Sequence, residues 1–151
     1  MKHLNILLAD DDADDCQIFE QALKGFSAVT NLTTVDDGEK LMKYLLNTNE
    51  LPDVVFLDFN MPCKNGLECL KEIKQNKSLK QLPVIMYSTS AEKVIVDLLF
   101  ENGAHCFIQK LAQFFTFKKT IHQALIFVTQ ENSSPTTRER FMLTENNFPI
   151  Y

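Results

Sequence analysis

Short apolar runs alternate with helical patterns along almost the whole chain. Residues 4–9 (Leu-Asn-Ile-Leu-Leu-Ala) read as a buried strand. Residues 14–24 read as a helix with Ile18, Ala22, Leu23 and Phe26 on one side, and Gly25 stands where it would stop. Residues 29–35 are β-branched but carry polar threonines, the pattern of a strand at a sheet edge. Asp36-Asp37-Gly38 is a turn, and residues 39–46 form a second helix with Leu41, Tyr44 and Leu45 at helical spacing. Residues 54–57, four apolar side chains after Pro52-Asp53, are the clearest strand. A helix over 67–75, a strand over 84–87 introduced by Pro83, and a helix over 91–102 ended by Asn102-Gly103 follow. Residues 106–109 are a fifth strand, and Phe114, Phe117, Ile121, Leu125 and Val128 mark one face of a fifth helix.

Five β–α units with continuously apolar strands imply a parallel sheet covered on both faces. Right-handed crossovers make it a doubly wound five-stranded α/β sandwich. Such a fold binds its ligands outside the carboxyl ends of the strands. One domain is expected over 1–130. Residues 131–151 differ: Asn132 to Thr137 is a polar breaker cluster, and what remains is too short for a second domain. This tail reads as flexible, or as an arm that docks on a partner or a second copy through Phe141, Met142, Leu143, Phe148, Ile150 and Tyr151.

Composition narrows the class. A 45% apolar content with twelve phenylalanines supports a packed core in the 151 residues and excludes a disordered chain. A net charge of −5 without a basic run argues against DNA or RNA as a bulk electrostatic partner. No apolar run approaches the ~20 residues that cross a bilayer, and the first nine do not resemble a signal peptide, so a cytoplasmic location is expected. Cys16, Cys63, Cys69 and Cys106 are scattered, without the paired spacing of a zinc site, and read as reduced, small packing residues. His3, His105 and His122 have no partner at metal-ligand spacing.

The chemistry lies at the strand ends. The first strand ends in Asp10-Asp11-Asp12, the third in Asp58 before Phe59-Asn60-Met61-Pro62, the fourth in Ser88-Thr89-Ser90, and the fifth in Lys110. A parallel sheet brings all four ends to one rim. Carboxylates that close repel one another unless a cation joins them. An oxygen-rich acidic site of this kind suits magnesium, which keeps several waters. Asp58 can then attack phosphorus as a nucleophile and form an acyl phosphate. The metal and Lys110 would neutralise the phosphoryl oxygens, and Ser88 would donate a hydrogen bond to one. Of the five aspartates between positions 10 and 15, Asp12, Asp14 and Asp15 read as helix caps or solvated charge.

These residues resemble the receiver domain of bacterial two-component response regulators, here over about residues 3–128. The acidic pair is Asp10-Asp11; Asp58 precedes the Met61-Pro62 turn; Ser88 ends the fourth strand; Phe107 lies three residues before Lys110; and Asn65-Gly66 matches the turn that follows. The resemblance implies a flavodoxin-like fold with strand order 2-1-3-4-5. It implies that Asp11 and Asp58 ligate Mg2+ with the backbone carbonyl of Asn60, with Asp10 beside the metal. It implies Asp58 as phosphoacceptor, Ser88 and Lys110 as catalytic groups, and Ser88 and Phe107 as a switch in which Phe107 turns inward. The implied donor is a sensor histidine kinase or histidine phosphotransfer protein. The output would be a binding event on an unidentified protein, or onward phosphorelay, with homodimer formation left open. One departure stands out: Leu111 follows Lys110 where the family usually has a cis proline. A cis bond without proline costs ~2.5–4 kcal/mol, so a trans bond with a rearranged loop is expected there.

Two other readings compete. A receiver-shaped interaction module would bind partners independently of phosphate. A phosphatase of the haloacid-dehalogenase type would need a second Asp two residues after the nucleophile, and that position is Asn60.

Overall fold

The computed structural model describes residues 3–110, 113–130 and 136–144. Five β–α units follow one another: β1 (His3–Ala9), α1 (Ala13–Leu23), β2 (Val29–Val35), α2 (Gly38–Asn47), β3 (Val54–Asp58), α3 (Gly66–Gln75), β4 (Val84–Ser88), α4 (Lys93–Glu101), β5 (Cys106–Gln109) and α5 (Phe114–Thr129). A short helix α6 (Arg138–Phe141) and a two-residue strand β6 (Met142–Leu143) close the described chain. The sheet is parallel in the order β2-β1-β3-β4-β5-β6.

Side chains alternate across the strands and so build two cores. Leu7, Val55, Leu57, Met86 and Phe107 face α2, α3 and α4. Ile6, Leu8, Val54, Phe56, Tyr87 and Ile108 face α1 and α5. β3 and β4 are buried along their whole length, which is why they read as unbroken apolar runs. β2 is half exposed and sits at the edge, as its threonines indicate.

The sheet has six strands rather than five. The expected tail was flexible or partner-docking; over residues 136–144 it lies instead on the sheet of its own chain. Met142 and Leu143 pair in parallel with Phe107 and Ile108. Phe141 is fully buried, edge-on to Phe100 at a centroid distance of 5.3 Å. Arg138 Nε reaches Asp97 Oδ1 on α4 at 2.5 Å. The physical reason is the open edge of β5: it offers unpaired backbone groups, and Phe141 and Leu143 bring apolar area to either side of it. Leu111 and the apolar residues Phe148, Ile150 and Tyr151 lie outside the described residues.

Candidate functional site

The rim at the carboxyl ends of β1, β3, β4 and β5 gathers the expected residues. The carboxylates of Asp10, Asp11 and Asp58 each offer an oxygen within 4.8 Å of the others. Asp10 and Asp58 are buried, whereas Asp11 is exposed. Lys110 Nζ lies 3.3 Å from Asp58 Oδ2 and 3.1 Å from Asp10 Oδ2. Ser88 is buried as the last residue of β4, at the same rim, while Thr89 is exposed.

Local structure fixes these groups. Asp10 Oδ1 accepts the Asp12 N–H at 2.9 Å, turning the chain out of β1. Asp12 caps α1 by accepting from the N–H groups of Asp14 and Asp15. After β3, the Asn60 N–H donates to Asp58 Oδ1 at 3.2 Å. The loop then folds back through Cys63, whose φ of 68° puts a side chain in the left-handed region. The Lys64 N–H donates to the Pro62 carbonyl across it at 2.7 Å, closing a γ-turn. Asn65 opens α3 with a capping box on Glu68. Gly66 lies so close to the phosphoacceptor loop that a Cβ would stand 2.5 Å from the Asp58 carbonyl oxygen. Only glycine lets the two backbones approach this closely.

Charge in the site is frustrated. Burial, aided by neighbouring Asp10, pushes the Asp58 carboxyl up to about 7, against the pull of Lys110 and the Asn60 N–H. Burial works against the Lys110 ammonium, yet Asp15, Asp58 and Asp10 outweigh it and hold its pKa above the usual lysine value. The site therefore favours a further cation. Three carboxylates, of which Asp11 is exposed to solvent, fit a hard, oxygen-seeking ion. Cys16 takes no part as a nucleophile: burial, with Asp10 and Asp15, pushes its thiol up to about 11.

Two groups were not foreseen. Asp15 reads from sequence as a solvated or capping carboxylate, but its Oδ2 binds Lys110 Nζ at 2.8 Å. Tyr87 reads as core, but its hydroxyl donates to Asp10 Oδ2 and its ring lies 4.5 Å below Lys110 Nζ. The one available signal for Tyr87 was chemical: a phenol in a buried strand needs a polar partner. Phe107 is fully buried on the α4 side, in one cluster with Val96, Leu99 and Phe141. It is already inward.

A family profile described as "Response regulator receiver domain" matches residues 6–125. The response regulator Rcp1 of Synechocystis sp. is 34% identical over 110 residues, covering 70% of this chain and 75% of that protein. The two-component response regulator ARR6 of Arabidopsis thaliana is 26% identical, covering 98% of this chain and 83% of that protein. The phosphorylated cyanobacterial phytochrome response regulator RcpA superposes with a TM-score of 0.80 at 28% identity, over 89% of this chain and 100% of that one. The Mn2+-bound form of Rcp1 gives 0.74 at 28% identity, over 89% and 99%.

Proposed function

Because the chain belongs to the response-regulator receiver family, we propose that Asp58 is its phosphoacceptor and that Asp10, Asp11 and Asp58 hold a magnesium ion beside it. The observation that carries this reading is the placement of Asp58. It is buried, beside two further carboxylates, and paired with the Lys110 ammonium at 3.3 Å.

An oxygen of Asp58 attacks phosphorus in a phosphohistidine. The new P–O bond forms as the P–N bond breaks, and the donor imidazole leaves with the electron pair and takes up a proton. Lys110 stays beside Asp58 and neutralises one phosphoryl oxygen. Ser88 donates its hydroxyl to another, and the Asn60 carbonyl completes the metal's protein ligands. Magnesium, when bound, supplies positive charge that lowers the repulsion between carboxylates and phosphoryl oxygens. We place the protein in the cytoplasm, which suits its four unpaired thiols. Among the described residues no helix is long and apolar enough to cross a membrane.

The donor is a sensor histidine kinase or histidine phosphotransfer protein. Since RcpA serves a phytochrome, a donor panel should include a photoreceptor kinase. Output is phosphorylation-dependent binding or onward relay through the flank of α4 and α5, where α6 and β6 cover the edge of β5. A phosphate-independent binding module draws support from one observation: Phe107 is already inward, buried in one cluster with Phe141.

Incubation with acetyl phosphate and magnesium, read by intact mass, tests the proposal. One phosphoryl group is expected on the parent protein, with incorporation reduced at least ~100-fold in Asp58→Asn. Undiminished labelling of that variant would remove Asp58 from the mechanism. Partner capture indifferent to Asp58→Asn would favour the binding module. Steady turnover of an exogenous phosphoester would instead reveal an enzyme.

A further inference from the structure

Lys110 is held by more carboxylates than phosphoryl transfer requires. An ammonium has three N–H donors. Two of them are received by Asp15 Oδ2 at 2.8 Å and Asp10 Oδ2 at 3.1 Å, and Asp58 Oδ2 pairs with the charge at 3.3 Å. The shortest contact is the one outside the group of carboxylates that would hold a metal.

We infer that Asp15 is a positioning residue, which grips Lys110 from the first turn of α1 and holds its ammonium beside Asp10 and Asp58. The inference deepens the reading of Asp58 as phosphoacceptor and rests on it.

Three features support it. A lysine head is a strongly hydrated point charge on a flexible four-carbon stem, so its direction must be imposed by its partners. Asp10 and Asp58 are poor partners for that purpose: Asp10 Oδ2 is shared with the Tyr87 hydroxyl, and both carboxylates would also face a bound cation. Asp15 lies outside both arrangements and makes the shortest contact to the ammonium. Its own backbone is fixed, since its N–H donates to the capping carboxylate of Asp12 at 3.2 Å. The Tyr87 ring lies 4.5 Å from the ammonium and adds a cation–π contact to the tether. A helix-dipole role alone would not distinguish Asp15 from Asp14, the other acidic residue of the same turn, which is exposed.

The test uses the full chain and four proteins: parent, Asp15→Ala, Asp15→Glu and Asp14→Ala. The first readout needs neither metal nor phosphate. The Lys110 side-chain ammonium, assigned by its absence from Lys110→Ala, is followed by proton–nitrogen NMR in metal-free protein. A slowly exchanging signal is expected in the parent and in Asp14→Ala, lost in Asp15→Ala, and partly recovered in Asp15→Glu. The second readout is phosphorylation by phosphoramidate across a concentration series. Asp15→Ala is expected to lower the limiting rate about tenfold with little change in the half-saturating concentration, as befits a group acting on the transition state. Asp14→Ala, equal in charge and position along the chain, should label like the parent. An ammonium signal in Asp15→Ala that matches the parent overturns the inference, and so does an unchanged limiting rate. If the signal responds to Asp15 but the parent takes no phosphoryl group, the grip on Lys110 stands and the phosphoacceptor reading falls. If the parent labels at Asp58 while neither readout responds to Asp15, the reading stands and the inference falls.

Discussion

The carboxyl end and the outer edge of β5 are built on opposite principles. At its carboxyl end Lys110 enters a crowd of buried carboxylates, where burial and like charge work against Asp58. Along its edge Phe107 and Ile108 receive β6, and Phe141 and Leu143 are buried with little polar conflict. The rim gives up stability to keep a reactive carboxylate in place. The edge contributes stability by removing apolar area and satisfying an open strand. One strand thus couples a strained site to a well-packed flank, and the two should respond to perturbation in opposite directions.

The largest stability effect should come from the flank. Phe141→Ala empties a fully buried ring site beside Phe100 and is expected to cost about 3–5 kcal/mol in urea or thermal unfolding. Labelling of Asp58 by acetyl phosphate should survive under conditions where the variant is folded. Loss of labelling in folded Phe141→Ala would show that the two regions are not separable.

A smaller effect, of opposite sign, is expected at the rim. The folded-state pKa of Asp58 is pushed up to about 7, above the usual carboxylate value of an unfolded chain. The stability this shift confers is present in full at about pH 4 and below, and it is lost as pH rises through about 7. Metal-free parent protein should therefore lose roughly 2–4 kcal/mol relative to Asp58→Asn between about pH 4 and pH 8. Millimolar magnesium at pH 8 should narrow that gap by binding the folded parent. Parallel pH profiles for the two proteins would show that Asp58 is not strained.

The smallest expected change lies in the loop between them in sequence. Cys63 is exposed and adopts a φ of 68°, where a side chain costs roughly 1–2 kcal/mol and glycine does not. Cys63→Gly should raise stability by about 1 kcal/mol and leave phosphorylation unchanged. A fall in stability would mean that the added chain entropy exceeds the relieved strain.

Much of this was legible in the sequence, for a simple reason. Parallel strands buried on both faces must be continuously apolar, so residues 54–57 and 84–87 announced themselves, and Asp58 and Ser88 stood out as the polar residues that ended them. Asp10 and Lys110 followed by the same logic. The tertiary partners within that rim were less legible. Five aspartates in six positions conceal that Asp15 joins Asp10 on Lys110, because that contact depends on how α1 leans over the sheet. Tyr87 alternates onto the α1 face with the core residues, yet its hydroxyl reaches Asp10 and its ring lies against Lys110. β6 was hidden for another reason. A two-residue strand has no periodicity to read, and it follows a polar breaker cluster that resembles the start of a loose tail.

The hydrogen bond between Tyr87 and Asp10 also has an optical side. The chain has no tryptophan and only three tyrosines, so phenol emission is not masked by indole. One of those three phenols donates to a carboxylate at the heart of the site, the arrangement in which tyrosine light is most readily quenched. Any cation or phosphoryl group that draws Asp10 away alters that bond, and the protein thereby carries its own dye at the place where its signal is written.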